Sequence, residues 1–99
     1  MSSEKTSSLL PGLSVVRMAL GLTQSALADA IGVSGFTVST WESGGRDARG
    51  VHVKALATEL ACGTDDLYSE PSAKRLAEIR AAYHQREADR AREEARAAS

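Results

Sequence analysis

Cysteine, proline and aromatic side chains are scarce in this chain. A single cysteine, Cys62, in 99 residues excludes an internal disulfide framework and fits a reducing compartment. Aromatic residues make up 4% against 42% hydrophobic residues overall, so the core must be mostly Leu, Val, Ile and Ala. No apolar run approaches the ~18 residues that a membrane-spanning helix needs. The opening stretch MSSEKTSS is polar and lacks the apolar centre of a secretion signal, so a cytoplasmic location is expected. A strong excess of either charge is also absent. Residues 1–69 carry five basic and seven acidic side chains (−2), residues 70–99 carry seven and six (+1), and the sum is the net charge of −1. The basic excess common in nucleic-acid-binding domains is missing.

Constellations for catalysis are lacking too. His52 and His84 lie far apart, and no ligand spacing links either one to Cys62, so no metal site is expected. There is no glycine-rich phosphate loop, paired-carboxylate motif or serine–histidine arrangement. No catalytic residue, cofactor or enzymatic activity is expected.

What is present is helical periodicity, with no strand pattern. Residues 1–8 read as a disordered leader. Leu9–Leu20 suits a first helix, begun at Pro11 and Gly12, with Leu13, Val16 and Leu20 on one face. Thr23–Ile31 suits a second, N-capped by Thr23, and Ser34–Ser43 a third, stopped by Gly44-Gly45. Val51–Cys62 gives a fourth helix, ended by Gly63. Thr64 caps a short fifth helix holding Leu67 and Tyr68, with Asp65 and Asp66 in its first turn. Pro71 marks a boundary. Beyond it, residues 72–98 are mostly Ala, Arg and Glu, with one apolar stripe of Leu76, Ile79 and Tyr83. The end from about residue 87 should fray or be disordered, since nothing past Tyr83 asks to be buried.

The stretch Gln24–Trp41 is the most informative. Leu27 and Ile31 share one helix face, and Ala28 lets a second helix cross closely. Gly32 can take the left-handed conformation that ends a helix, Val33 plugs the turn, and Ser34 can cap the next helix. Val38 and Trp41 then recur at helical spacing and can close over Leu27 and Ile31. This is a helix, a sharp turn, and a second helix with one free face.

The segment resembles the helix-turn-helix of the lambda-repressor/Cro-like (XRE) family of DNA-binding proteins. Arg17, Gly21-Leu22-Thr23-Gln24, Leu27-Ala28, Gly32-Val33-Ser34 and Glu42-Ser43-Gly44 match the family pattern in order and spacing. Leu56-Ala57, Leu60 and Asp66-Leu67 match its fourth and fifth helices, so the resemblance covers roughly residues 9–68. It implies an all-α, five-helix domain over residues 9–69, to which residues 70–99 add a charged helical tail.

The resemblance implies that the third helix enters the major groove, with Gly35, Phe36 and Thr40 at base-reading positions and Thr37 and Ser39 beside them. The long amides and arginines that make bidentate base contacts are missing here, so readout leans on shape, methyl contacts and water. For Phe36 the alternative is a partly buried core residue. Gln24 inherits the family's phosphate grip, the alternative being an exposed capping residue. Ser34, Ser43, Arg46 and Arg49 complete the DNA-binding set, although Asp47 sits where it can neutralise the two arginines. Arg17 and Glu42 inherit an ion pair that locks the recognition helix, and breaking it should cost ~3 kcal/mol.

Two functions are expected on this basis. The first is a sequence-specific transcriptional regulator, a repressor, binding a palindromic DNA operator as a homodimer through Leu67, Tyr68, Leu76, Ile79 and Tyr83. The second is an antitoxin-like regulator whose tail folds on a protein partner, set against a tail that is merely a solvated helix.

Overall fold

Six helices carry the chain in the computed structural model, which describes residues 10–98; the leader expected over residues 1–8 lies outside them. They are α1 (Pro11–Ala19), α2 (Gln24–Ile31), α3 (Gly35–Ser43), α4 (Gly50–Glu59), α5 (Asp65–Tyr68) and α6 (Ala73–Ala98). No strand occurs among the described residues. Leu13 and Val16 of α1, Leu27 of α2, Val38 and Trp41 of α3, and Leu56 and Leu60 at α4 converge in one aliphatic core. Trp41 is the only aromatic among its buried members, as the composition requires.

Local chemistry sets the helix ends. Thr23 caps α2 by accepting from the Ala26 N–H at 2.9 Å, and Ser34 caps α3 by accepting from the Thr37 N–H at 3.1 Å. Between them Gly32 is left-handed at φ +78°, and the Val33 N–H reaches back to the Ala28 carbonyl at 3.0 Å. α4 ends earlier than its apolar pattern suggests. The left-handed residue is Ala61, at φ +58°, not Gly63, and the Cys62 N–H turns back to the Ala57 carbonyl at 3.0 Å. Ala61 accepts a backbone conformation that costs roughly 1–2 kcal/mol for a residue with a Cβ. Thr64 makes no side-chain cap on α5; Asp66 accepts from the Gly63 N–H at 2.9 Å instead.

α6 departs most from expectation. Its 26 residues run as helix to Ala98, past the residue-87 point where fraying was expected. Its apolar stripe turns toward the body of the same chain. Leu67 and Ile79 are fully buried, and Leu76 and Tyr83 pack against the same core. Of the five residues expected at a dimer contact, only Tyr68 remains exposed.

Arginines complete the docking of α6. Arg86 donates to the Thr58 and Glu59 carbonyls at 2.7 and 2.6 Å, and its guanidinium lies 4.9 Å from the centre of the Tyr83 ring. Arg80 reaches the Ala19 carbonyl at 3.4 Å. Both sets of carbonyls belong to the last turns of helices, where backbone acceptors lack intrahelical partners and the dipole favours a cation. Arg75 grips Asp66 with two hydrogen bonds, at 2.9 and 2.8 Å.

Gly12 explains how closely α1 and α5 approach. A Cβ built there would lie 1.9 Å from the Asp66 carbonyl oxygen and 2.9 Å from that of Ser69. Backbone cannot yield as a side-chain tip can. Gly12→Ala should therefore lower stability by about 1–3 kcal/mol, read as a shifted denaturant midpoint with an unchanged slope.

Asp66 gives a pH signature. The hydrogen-bonded Arg75 guanidinium, aided by the Gly63 N–H, holds its carboxyl below the ordinary carboxylate range. A depressed folded-state pKa stabilises the protein above that range and is lost as pH falls through it. Asp66→Asn should lower stability at neutral pH and flatten its decline in acid, measured by thermal melts between pH 3 and pH 7, roughly the span over which carboxylates titrate.

Candidate nucleic-acid interface

The face of α3 is defined by what its other side buries. Val38 and Trp41 are almost fully enclosed, at 0% and 3% exposure, while Phe36 stands 73% exposed. Helical geometry places these on opposite sides: with Val38 and Trp41 directed at α1 and α2, the first turn of α3 has only solvent for Phe36. It is not a core residue. Gly35 packs near α2, where an added Cβ would meet the Ser25 hydroxyl at 3.4 Å. Thr37, Ser39 and Thr40 are half-buried on the flanks, and Ser34 and Ser43 are exposed at the two ends.

The hydroxyls along this helix are already partly engaged. Thr40 donates to the Thr37 carbonyl at 2.8 Å, and Ser43 to the Thr40 carbonyl at 3.3 Å. The Ser34 and Thr37 hydroxyls lie 2.9 Å apart within the cap. With their protons directed inward, Thr40 and Ser43 offer lone pairs outward.

A charged cluster fixes α3 against α1. Glu42 accepts from Arg17 Nε at 2.6 Å and Nη2 at 3.0 Å, in a two-point fork, and Arg17 Nη1 donates to the Leu22 carbonyl at 2.7 Å. Both side chains are nearly enclosed, at 11% and 8% exposure. Gln24 joins them by donating to Glu42 at 2.9 Å. Its amide is thus anchored to the cluster, with Thr23 doing the capping, and one amide hydrogen remains for an outside acceptor. Nothing in the spacing of Gln24 signalled this link to Glu42.

Beyond α3, the loop brings Arg46 and Arg49 to the surface, both exposed. Among the described residues neither forms an ion pair, although Asp47 is their neighbour. Arg49 sits at the N-cap of α4, which no side chain caps. Thr37, Trp41, Arg46, Asp47, Arg49 and His52 line a cleft of about 320 Å³ beside α3. His52 packs against Trp41 with ring centroids 5.2 Å apart and the two rings tilted by 41°. Sequence reasoning weighed His52 only as a metal ligand and missed this placement. Its position one turn after Arg49 was the available signal.

Other chemistry is sparse. Burial pushes the Cys62 thiol up to about 11, with Asp66 adding to the effect, so at neutral pH it is a protonated thiol and not a nucleophile. Among the described residues no group of three or more His, Cys, Asp or Glu side chains gathers to hold a metal ion, and no helix is long and apolar enough to cross a membrane.

The Arg17–Glu42 cluster carries its own test. Arg17→Ala leaves an enclosed carboxylate without its partner and should cost about 3 kcal/mol. Adding Glu42→Ala should recover part of that loss, so a denaturation double-mutant cycle should give a coupling clearly different from zero.

Comparison with known proteins agrees with this geometry. A family model described as helix-turn-helix matches residues 14–67, more than half of the 99-residue chain. No curated protein and no solved structure gave a match. An exposed α3 on a glycine turn, locked by Arg17 and Glu42, lies inside that matched span, and the chain belongs to the XRE-type helix-turn-helix family of DNA-binding transcriptional regulators.

Proposed function

We propose that the protein is a cytoplasmic, sequence-specific repressor that binds a palindromic operator as a homodimer, with α3 in the major groove. Residues 9–69 act as the DNA-binding unit, and the helical tail of residues 70–99 braces it. The observation that carries this reading is Phe36, a large apolar side chain 73% exposed on a helix whose opposite side is sealed. Two such helices, one from each copy, meet successive major grooves when they lie about 34 Å apart.

The chemistry of the face suggests how it reads DNA. Phe36 suits thymine methyl groups, Gly35 permits close approach of the backbone, and Thr40 offers an acceptor to the exocyclic amines of adenine or cytosine. Ser34, Thr37 and Ser39 flank these contacts. Gln24, Ser43, Arg46 and Arg49 take the phosphates, and His52 joins them from the cleft. Among the described residues Arg46 and Arg49 form no ion pair, which supports this division, because neither leaves a described carboxylate to meet a phosphate. With so few cations and a net charge of −1, the salt dependence of binding should be shallow.

The alternative, a tail that folds on a protein partner, draws less support, because α6 is docked on its own domain as far as Arg86.

Footprinting on the DNA upstream of the protein's own gene should show a two-fold protected site. Phe36→Ala, alone and with Thr37→Ala and Thr40→Ala, should abolish preference for that site while the thermal melt stays near wild type. Each lost base contact should cost about 1–3 kcal/mol. Arg46→Ala should weaken specific and non-specific binding alike and lower the salt slope by about one. Unchanged operator affinity in the triple variant would remove α3 from the interface.

A further inference from the structure

The side chains of α3 offer a base pair few hydrogen-bond donors. Its sequence, GFTVSTWES, contains no cation and no side-chain amide. Its one charge, Glu42, is turned onto Arg17 by two hydrogen bonds. Thr40 gives its hydroxyl proton to the Thr37 carbonyl at 2.8 Å, and Ser43 gives its own to the Thr40 carbonyl at 3.3 Å. Thr37 shares a hydrogen bond with Ser34 at 2.9 Å. Guanine shows two acceptors, N7 and O6, in the major groove, and both ask for donors. Apart from Ser39, the side chains of this helix have little to give them.

Apolar contact is what remains. Phe36 is 73% exposed, the most exposed large hydrophobic side chain among the described residues. Ser39 and Thr40 follow it at i+3 and i+4, on the same side of the helix. Beside it Gly35 has no side chain to hold the helix away, and the Ser25 hydroxyl lies 3.4 Å from where a Cβ would stand. The apolar group that a base pair shows in the major groove is the methyl on C5 of thymine. Cytosine carries a hydrogen on that carbon, and once methylated there it presents the same group in the same place.

We propose that Phe36 is a specificity-determining residue that reads the pyrimidine C5-methyl group itself, on thymine or on 5-methylcytosine. Methylation of an operator cytosine that lies under Phe36 therefore strengthens binding. The proposal rests on the reading that α3 enters the major groove. Burying one methyl group against the ring is worth about fourfold in affinity. Exchange of thymine for uracil removes that gain, and methylation of cytosine adds it.

The test uses the full chain and synthetic operator duplexes, with affinity read by fluorescence anisotropy. Replacing thymines by uracil one at a time across the footprinted site finds the position under Phe36. Four base pairs are then compared at that position: thymine and uracil opposite adenine, and 5-methylcytosine and cytosine opposite guanine. For the wild type, the methylated member of each pair should bind about fourfold more tightly. Phe36→Ala should bring both ratios to about one, with an unchanged melt because the side chain is exposed. Phe36→Leu, still apolar, should keep most of both ratios. Flat ratios in a wild type whose operator preference the triple alanine variant abolishes would overturn this inference and leave the groove reading intact. Ratios that persist in Phe36→Ala, or that appear with thymine but not with 5-methylcytosine, would overturn it as well. Operator affinity untouched by both the triple variant and uracil exchange would overturn the placement of α3 along with it.

Discussion

A guanidinium held at three points decides where the recognition helix lies. Arg17 forks onto Glu42 and also binds the Leu22 carbonyl, so one side chain ties together α1, the turn after it and the end of α3. Gln24 adds the start of α2 to the same carboxylate. Apolar contacts from Val38 and Trp41 hold α3 onto the core without direction, because burial rewards area and not angle. The fork supplies the angle. Without it α3 would retain a buried face but lose its fixed orientation, and the exposed residues would no longer share one defined surface.

Much of this was legible in the sequence, and the reasons are specific. The period of Val38 and Trp41 set which side of α3 turns inward, while the exposure of Phe36, open in the sequence, is settled by the structure. Gly32 and Ser34 marked the turn because left-handed backbone and N-capping have strong residue preferences. The Arg17–Glu42 pair came through the family pattern alone. What stayed hidden were interactions without a residue signature. Gly12 looked like a helix start, but it is a point where two backbones nearly touch. Ala61 took a conformation normally reserved for glycine, so Gly63 drew the helix end too late. The stripe of Leu76, Ile79 and Tyr83 was correctly apolar, yet periodicity shows that a face is buried and not what buries it.

The arginines divide into two populations. Those of α6 are engaged, Arg75 with Asp66, Arg80 and Arg86 with backbone carbonyls, and Arg90, Arg92 and Arg96 with acids one turn away. Those of the loop after α3 have no such partner among the described residues. Net charge therefore misstates the electrostatics of this protein. The tail's cations are largely neutralised in place, whereas Arg46 and Arg49 form no ion pair among the described residues and, with Asp47 between them, leave a net positive charge beside α3. A chain with no overall basic excess still presents a local cationic rim.

Arg86 latches α6 onto main-chain oxygens of α4, and this has a consequence for how the sequence can drift. A carbonyl belongs to every residue type, so the identity of position 58 is irrelevant to the latch so long as the last turn of α4 stays helical. At this latch the body can change residue identity freely, whereas the Arg75–Asp66 fork and the buried Ile79 tie tail and body through particular side chains.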